Sequence, residues 1–283
     1  MKTIVLFLCT SFFIVTLYST VDSVALTTLT DNKTDIKNVY ILVHGTWGLE
    51  APWYQVQGDF FEQVTQSALT LQGKVITFSW TGNLNHESRL QAALNLTKLI
   101  ISYPENIDIH IIAHSHGANV VNVASQLLGQ EKIYAHKIKK FFALGVPVDS
   151  GRYMPDMSVI DHCYNFFSFN DHVQTVLGVY ERFFPAHERI ANIRVSINGQ
   201  EPTHTGLHSA FVGYWLPLMH DHLAQESSGN FNNFDFSSPG IIYFYTHKMP
   251  RYDIDYEREK NFKDDRDCQA FCIEPHIKVT HAY

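Results

Sequence analysis

The stretch IHIIAHSHGANVV, residues 109–121, decides how this chain folds. It opens as an apolar run, closes with apolar residues at helical spacing, and carries Ser115 at the changeover. A strand that runs directly into a helix through one residue forces that residue into a strained backbone conformation. The turn closes only where the residues two before and two after are small, and Ala113 and Gly117 hold those places. Such a turn lifts the serine side chain clear of the C-terminal edge of the sheet, where open parallel sheets carry their sites. The competing reading, a serine that merely caps a helix, would need neither small neighbour.

Outward from that turn, strand and helix alternate. NVYILVHGTWG reads as a buried strand and a glycine loop, KVITFSW as a second strand, IDIHIIAHS as the third, and IKKFFALGVPVD as the fourth. DHCYNFFSFND and IRVSING follow as the fifth and sixth. Between them, GDFFEQVTQSALTLQG has helical spacing and closes on Gly73. RLQAALNLTKLI sets Leu90, Ala93, Leu94 and Thr97 on one expected buried face. GANVVNVASQLLGQ places Val120, Val121, Ala124, Leu127 and Leu128 in a stripe, and HTGLHSAFVGYWLPLM reads as a closing helix. Several strands are continuously apolar, as strands buried on both faces are. The expected fold class is therefore α/β, a mostly parallel sheet flanked by helices, with the main domain over residues 38–224. Residues 225–283 lose the alternation, apart from the strand-like IIYFYT, and are expected to be a C-terminal extension packed on the main domain.

The chain has 283 residues, 45% of them hydrophobic and 17% charged, enough to bury one substantial core. A net charge of -7 argues against a nucleic-acid surface. At the N-terminus, Lys2 precedes an apolar stretch from Ile4 to Tyr18 and then small residues around Ser23. Residues 1–23 read as a signal peptide, too short for a spanning helix, so the protein is expected to be secreted or held at the cell envelope. Beyond it, Cys163, Cys268 and Cys272 allow one bridge and leave one thiol over. Asn32 and Asn95 stand in glycosylation triplets. Composition and spacing leave the oligomeric state open.

A serine hydroxyl is a weak nucleophile and needs a base, and the base needs a group to orient it. On this architecture they follow in the order serine, acid, histidine, each just past a strand end. Asp171, after the fifth strand, is preferred as the acid over Asp149, which enters a turn-forming loop. His204, in the loop before the closing helix, is preferred as the base over His208, one turn in. An oxyanion needs preorganised donors. The N–H of His116 and the N–H of Thr46 in HGTWG are the candidates, with Trp47 next in line. A metal site built from His110, His114, His116, His204 and His208 has no H-E-x-x-H or similar carboxylate motif behind it, and no metal or organic cofactor is expected.

Together VHGTWG and AHSHGAN resemble the oxyanion loop and nucleophile elbow of the α/β-hydrolase superfamily, its lipases and esterases in particular. The resemblance runs from about Asn38 to Leu218, and Ala113 stands where the elbow more often has glycine. It implies Ser115, Asp171 and His204 as nucleophile, acid and base, with Thr46 and His116 as oxyanion donors. It also implies a serine hydrolase acting on carboxylic esters, small-molecule or lipid, with contact to a lipid surface among its expected partners. Acyl transfer to an alcohol and a non-catalytic binding module are the alternatives on the same scaffold. The loops VDSGRYMPDMSVI and GVYERFFPAHERIAN are expected to cap the site, with Tyr153, Met154, Met157, Phe183 and Phe184 as an acyl-accepting wall.

Overall fold

In the computed structural model, Ser115 lies between β3 (Asp108–His114) and α3 (His116–Gln130), with no residue to spare on either side. The structure describes residues 36–132, 136–174, 180–221, 240–246, 252–259 and 273–279, the last three stretches by backbone apart from Ile242. The proposed signal peptide, Asn32, Cys268 and Cys272 lie outside these residues.

The strands are β1 (Asn38–Val43), β2 (Gly73–Phe78), β3, β4 (Ile138–Leu144), β5 (Ile160–Phe167), β6 (Ile190–Ile197), β7 (Gly240–Thr246), β8 (Tyr252–Glu259) and β9 (Ile273–Val279). They form one sheet in the order β2-β1-β3-β4-β5-β6-β7-β8-β9. Every pairing from β2 to β7 is parallel, while β8 and β9 add antiparallel strands. The strand-like run IIYFYT is thus β7, hydrogen-bonded directly to β6 from Ile193↔Gly240 to Ile197↔Phe244.

The helices are α1 (Asp59–Thr70), α2 (His86–Ile101), α3 and the short α4 (Ala210–Trp215). Two separate cores follow from the strand period of two. Val39, Ile41, Val43, Ile111 and Ala113 face one core together with Ala93 and Leu96 of α2 and Val120 and Val121 of α3. Tyr40, Leu42 and Ile112 face the other, with Phe60 and Val64 of α1 and Val212 and Trp215 of α4. Burial on both faces explains why β1 and β3 carry near-continuous apolar sequence.

Two helices differ in detail from the expectation. On α2 the buried residues are Arg89, Ala92, Ala93, Leu96, Thr97 and Ile100, whereas Leu90 and Leu94 are exposed. The face is turned because Arg89 points inward, its Nε donating to the Tyr153 hydroxyl at 2.9 Å. The left-handed residue after α1 is Gln72 (φ 54°), and Gly73 is already the first residue of β2. A Cβ on Gly73 would come within 2.8 Å of the Ala68 carbonyl and of the Tyr40 ring, so glycine there serves packing instead of a cap.

Candidate active site

After β1 the chain turns to α1 on one face of the sheet, and after β3 it turns to α3 on the other. β1 and β3 are neighbours whose following helices lie on opposite faces, so their C-terminal ends form the switch point at which doubly wound sheets bind ligands. The loop His44-Gly45-Thr46 and Ser115 are the residues that leave those two ends.

Ser115 has φ 54° and ψ -133°, a conformation that costs a non-glycine residue on the order of 1–3 kcal/mol. Its N–H donates to the Leu144 carbonyl on β4 at 2.8 Å, and its carbonyl accepts from the Ala118 N–H at 3.0 Å. Both backbone groups are therefore satisfied while the side chain stands at the strand end. The loop after β1 presses close against it. A Cβ on Gly45 would lie 2.8 Å from the Ser115 Cβ, and one on Gly117 would lie 2.3 Å from the His44 carbonyl oxygen. No residue with a side chain fits at either place without moving backbone.

His44 and Trp80 latch that loop in a way the sequence did not reveal. The Trp80 N–H donates to His44 Nε2 at 3.1 Å, so His44 carries its proton on Nδ1 and donates it to the Gly45 carbonyl at 2.8 Å. The Trp80 indole N–H donates in turn to the His44 carbonyl at 2.7 Å. The Trp47 N–H is taken by the Gly82 carbonyl at 2.9 Å, which removes Trp47 as a free donor. The N–H groups of Thr46 and His116 enter no hydrogen bond among the described residues. The Thr46 hydroxyl is buried and likewise without a partner.

Asp171 is fully buried, and its Oδ2 accepts from His204 Nδ1 at 2.7 Å. Its other oxygen accepts from the N–H groups of Val173 and Gln174 at 3.0 and 3.3 Å. The pair comes together because the turn after β5 is stitched to the loop after β6. Ser168 Oγ donates to the Pro202 carbonyl at 2.6 Å, the Phe169 N–H to Glu201 Oε2 at 2.6 Å, and Asn170 Nδ2 to the Glu201 carbonyl at 3.1 Å. Glu201 is itself paired with Arg194. The Arg182 guanidinium donates to the Asp171 carbonyl at 3.3 Å. Gly145, at φ 61°, passes beneath the pair: a Cβ there would lie 3.0 Å from Asp171 Oδ2 and 3.2 Å from His204 Nδ1. Glu201, Arg194 and Arg182 were missed in the sequence, where only the placing of Glu201 between a strand end and His204 hinted at a role.

The alternatives go elsewhere. The Asp149 carboxylate accepts from the Gly151 N–H at 3.1 Å and its carbonyl from Arg152 and Tyr153, a local turn. The His208 ring stacks on Trp53 at 4.6 Å and burial pushes it down to about 4. His110 lies near the start of β3, stacked on Tyr40 with Nε2 bonded to Asn38 Oδ1 at 2.8 Å, at the opposite end of the strand from Ser115. Among the described residues no group of histidine, cysteine and carboxylate side chains converges as metal ligands do. The proposed acyl-accepting wall also needs correction. Tyr153, Met157 and Phe184 are buried in the α2/α3-side core, with Met154 packed against it. Phe183 packs edge-on against Phe167. These side chains fix the loops instead of lining an opening.

His116 and Arg89 set the electrostatics beside the hinge. Burial, then the Arg89 guanidinium, then His204, push His116 down to about 4. Its Nδ1 pairs with the Asn119 amide at 3.1 Å. Away from the site, burial followed by nearby lysines lowers His110 to about 2 and His220 to about 3, and burial also holds His162 at about 4. Each of these histidines has a folded value below its ordinary 6.5, so the unfolded chain binds more protons than the folded one as pH falls from about 6.5 towards 4. Their stabilisation is full above about 6.5 and drains through that window. The melting temperature is expected to drop steadily from pH 6.5 to 4, and His220→Gln should flatten the slope. A melting temperature constant over that range would contradict the buried neutral rings.

The one free cysteine among the described residues, Cys163, is buried on β5, where burial raises its thiol. No protein-family model matches the sequence, and no curated protein matches it. Among solved structures the chain is similar to a cutinase-like protein from Cryptococcus sp., at 16% identity over 67% of this chain and 94% of that one, with a TM-score of 0.41. It is similar to an arylesterase at 12% identity, over 71% of this chain and 77% of that one, with a TM-score of 0.36. One of two fungal esterases from Rhizomucor miehei shares 13% identity over 75% of this chain and 66% of its own, with a TM-score of 0.29. With its run of parallel strands, helices on both faces and a strained serine hinge between β3 and α3, the protein has an α/β-hydrolase fold.

Proposed function

We propose that this protein is a serine hydrolase that cleaves carboxylic esters through a covalent acyl-enzyme. One observation carries the reading: a buried carboxylate bonded at 2.7 Å to a histidine ring, on the sheet edge that also presents a serine in a strained hinge. Ser115 Oγ attacks the ester carbonyl while His204 Nε2 takes its proton. Asp171 holds the Nδ1–H tautomer and stabilises the imidazolium that forms. The N–H groups of Thr46 and His116 receive the negative oxygen, and the unpartnered Thr46 hydroxyl is a further donor within the same loop. Collapse of the tetrahedral intermediate breaks the bond to the alcohol, which leaves with the proton from His204. Water then repeats the sequence and releases the acid.

Trp47, Leu49, Leu84 and Val173 are exposed apolar side chains on loops at this edge of the sheet. They suit an ester with an apolar acyl group and, for an exported enzyme, contact with a lipid surface. The test is a series of nitrophenyl esters from short to long acyl chains, with product analysis in the presence of a competing alcohol. Free acid is expected as the main product, with the length profile dividing esterase from lipase. A folded protein that turns over none of the series would remove the hydrolase reading, and ester products would reassign it to acyl transfer.

A further inference from the structure

We propose that the ring of His114 is a positioning group for the base: it grips the main chain of His204 and so ties the base to the strand that ends at Ser115. The proposal rests on the reading of His204 as the base. His114 is the last residue of β3 and directly precedes Ser115. Its ring is buried, and its Nε2 lies 3.1 Å from the His204 carbonyl. A carbonyl only accepts, so the ring nitrogen must donate, and His114 is held as the Nε2–H tautomer. The two rings are 4.4 Å apart between centroids.

His114 cannot swing away from this bond. Trp53 meets it edge-on at 5.7 Å and His208 at 4.6 Å, and Trp53 and His208 stack on each other. On the remaining side, a Cβ on Gly45 would stand 3.4 Å from His114 Nδ1. Burial and the neighbouring His204 and His208 keep the ring neutral, which the Nε2–H donor requires. His204 is thereby fixed at two points, its Nδ1 by Asp171 and its carbonyl by His114. Nε2 of His204 is left uncommitted among the described residues, which is the nitrogen the proton transfer needs. The base comes from a loop that contacts to Glu201 organise, and the His114 bond references it to the nucleophile strand itself.

A purely packing role and a hydrogen-bonding role predict opposite rankings of two variants. His114→Phe keeps the aromatic contacts with Trp53 and His208 but loses the donor. His114→Gln loses the ring but can place an amide N–H near the same carbonyl. Positioning predicts that His114→Phe lowers kcat by about 10- to 100-fold with KM within about twofold, the cost of a base displaced by roughly an ångström. His114→Gln should recover most of that loss. Phe near wild type with Gln impaired would overturn the proposal. His204→Ala is measured alongside: an inactive variant leaves the parent reading in place while His114 is judged, and a fully active one overturns both. Should the Phe variant fail to fold, 15N spectra of the unsubstituted protein decide. A neutral His114 with its proton on Nε2 across pH 5–8 supports the bond, and a proton on Nδ1 overturns it.

Discussion

Replacing Ser115 with alanine is expected to lower ester turnover by about 10⁶-fold, to the residual rate that binding and the oxyanion donors sustain. That is about 8 kcal/mol of barrier, far more than any packing change at a side chain this small could produce. The alanine variant should fold as the parent does, because the hydroxyl makes no hydrogen bond among the described residues and the backbone bonds to Leu144 and Ala118 remain. Ser115→Gly separates strain from chemistry. Glycine accepts φ 54° and ψ -133° without the penalty of a Cβ, so that variant should be as inactive as alanine yet more stable by about 1 kcal/mol. An inactive variant that is also less stable than the parent would mean that the hinge is not strained.

Asp171→Asn is expected to cost about 10⁴-fold in kcat, because an amide at that position no longer fixes the Nδ1–H tautomer of His204 or stabilises its positive form. Asp149→Asn should leave activity within about tenfold. The carboxylate of Asp149 bonds to the Gly151 N–H in its own turn, an interaction the asparagine oxygen reproduces. In Asp171→Asn the oxygen either stays on the N–H groups of Val173 and Gln174, with the NH2 facing His204, or leaves them and disturbs the loop. Kinetics sort the two: a lost tautomer lowers kcat with KM little changed, and a displaced loop changes both. If the Asp149 variant were the one to lose activity, the acid would belong to the loop after β4.

What could be read in the sequence follows from local rules. β3 was legible because its apolar run, the small residues Ala113 and Gly117, and the helical stripe after them obey backbone constraints within a few residues. The parallel sheet was legible because strands covered on both faces cannot afford polar alternation. The stripe of Leu90 and Leu94 on α2 misleads because apolar spacing does not report where Arg89 points. Arg89 is buried over the Tyr153 ring at 5.0 Å, and that contact turns Leu90 and Leu94 outward. Tyr153, Met157 and Phe184 were assigned to a substrate wall because loop aromatics look alike in sequence whether they fill a core or line a cleft. The supporting bonds were out of reach for a different reason. Glu201 meets the turn after β5 from 33 residues away, and His114 meets His204 across 90, distances over which no residue pattern reports a contact.

The proposed nucleophile is the hydroxyl held at the β3–α3 hinge. Incubating the protein with a serine-directed alkyl phosphonate and mapping the modified peptide by mass spectrometry tests it most directly. A single phosphonyl group on Ser115 is expected, formed far more slowly in His204→Ala and absent in Ser115→Ala. Stable hydrolysis of esters by a protein whose Ser115 stays unmodified, or a label on another serine, would contradict it.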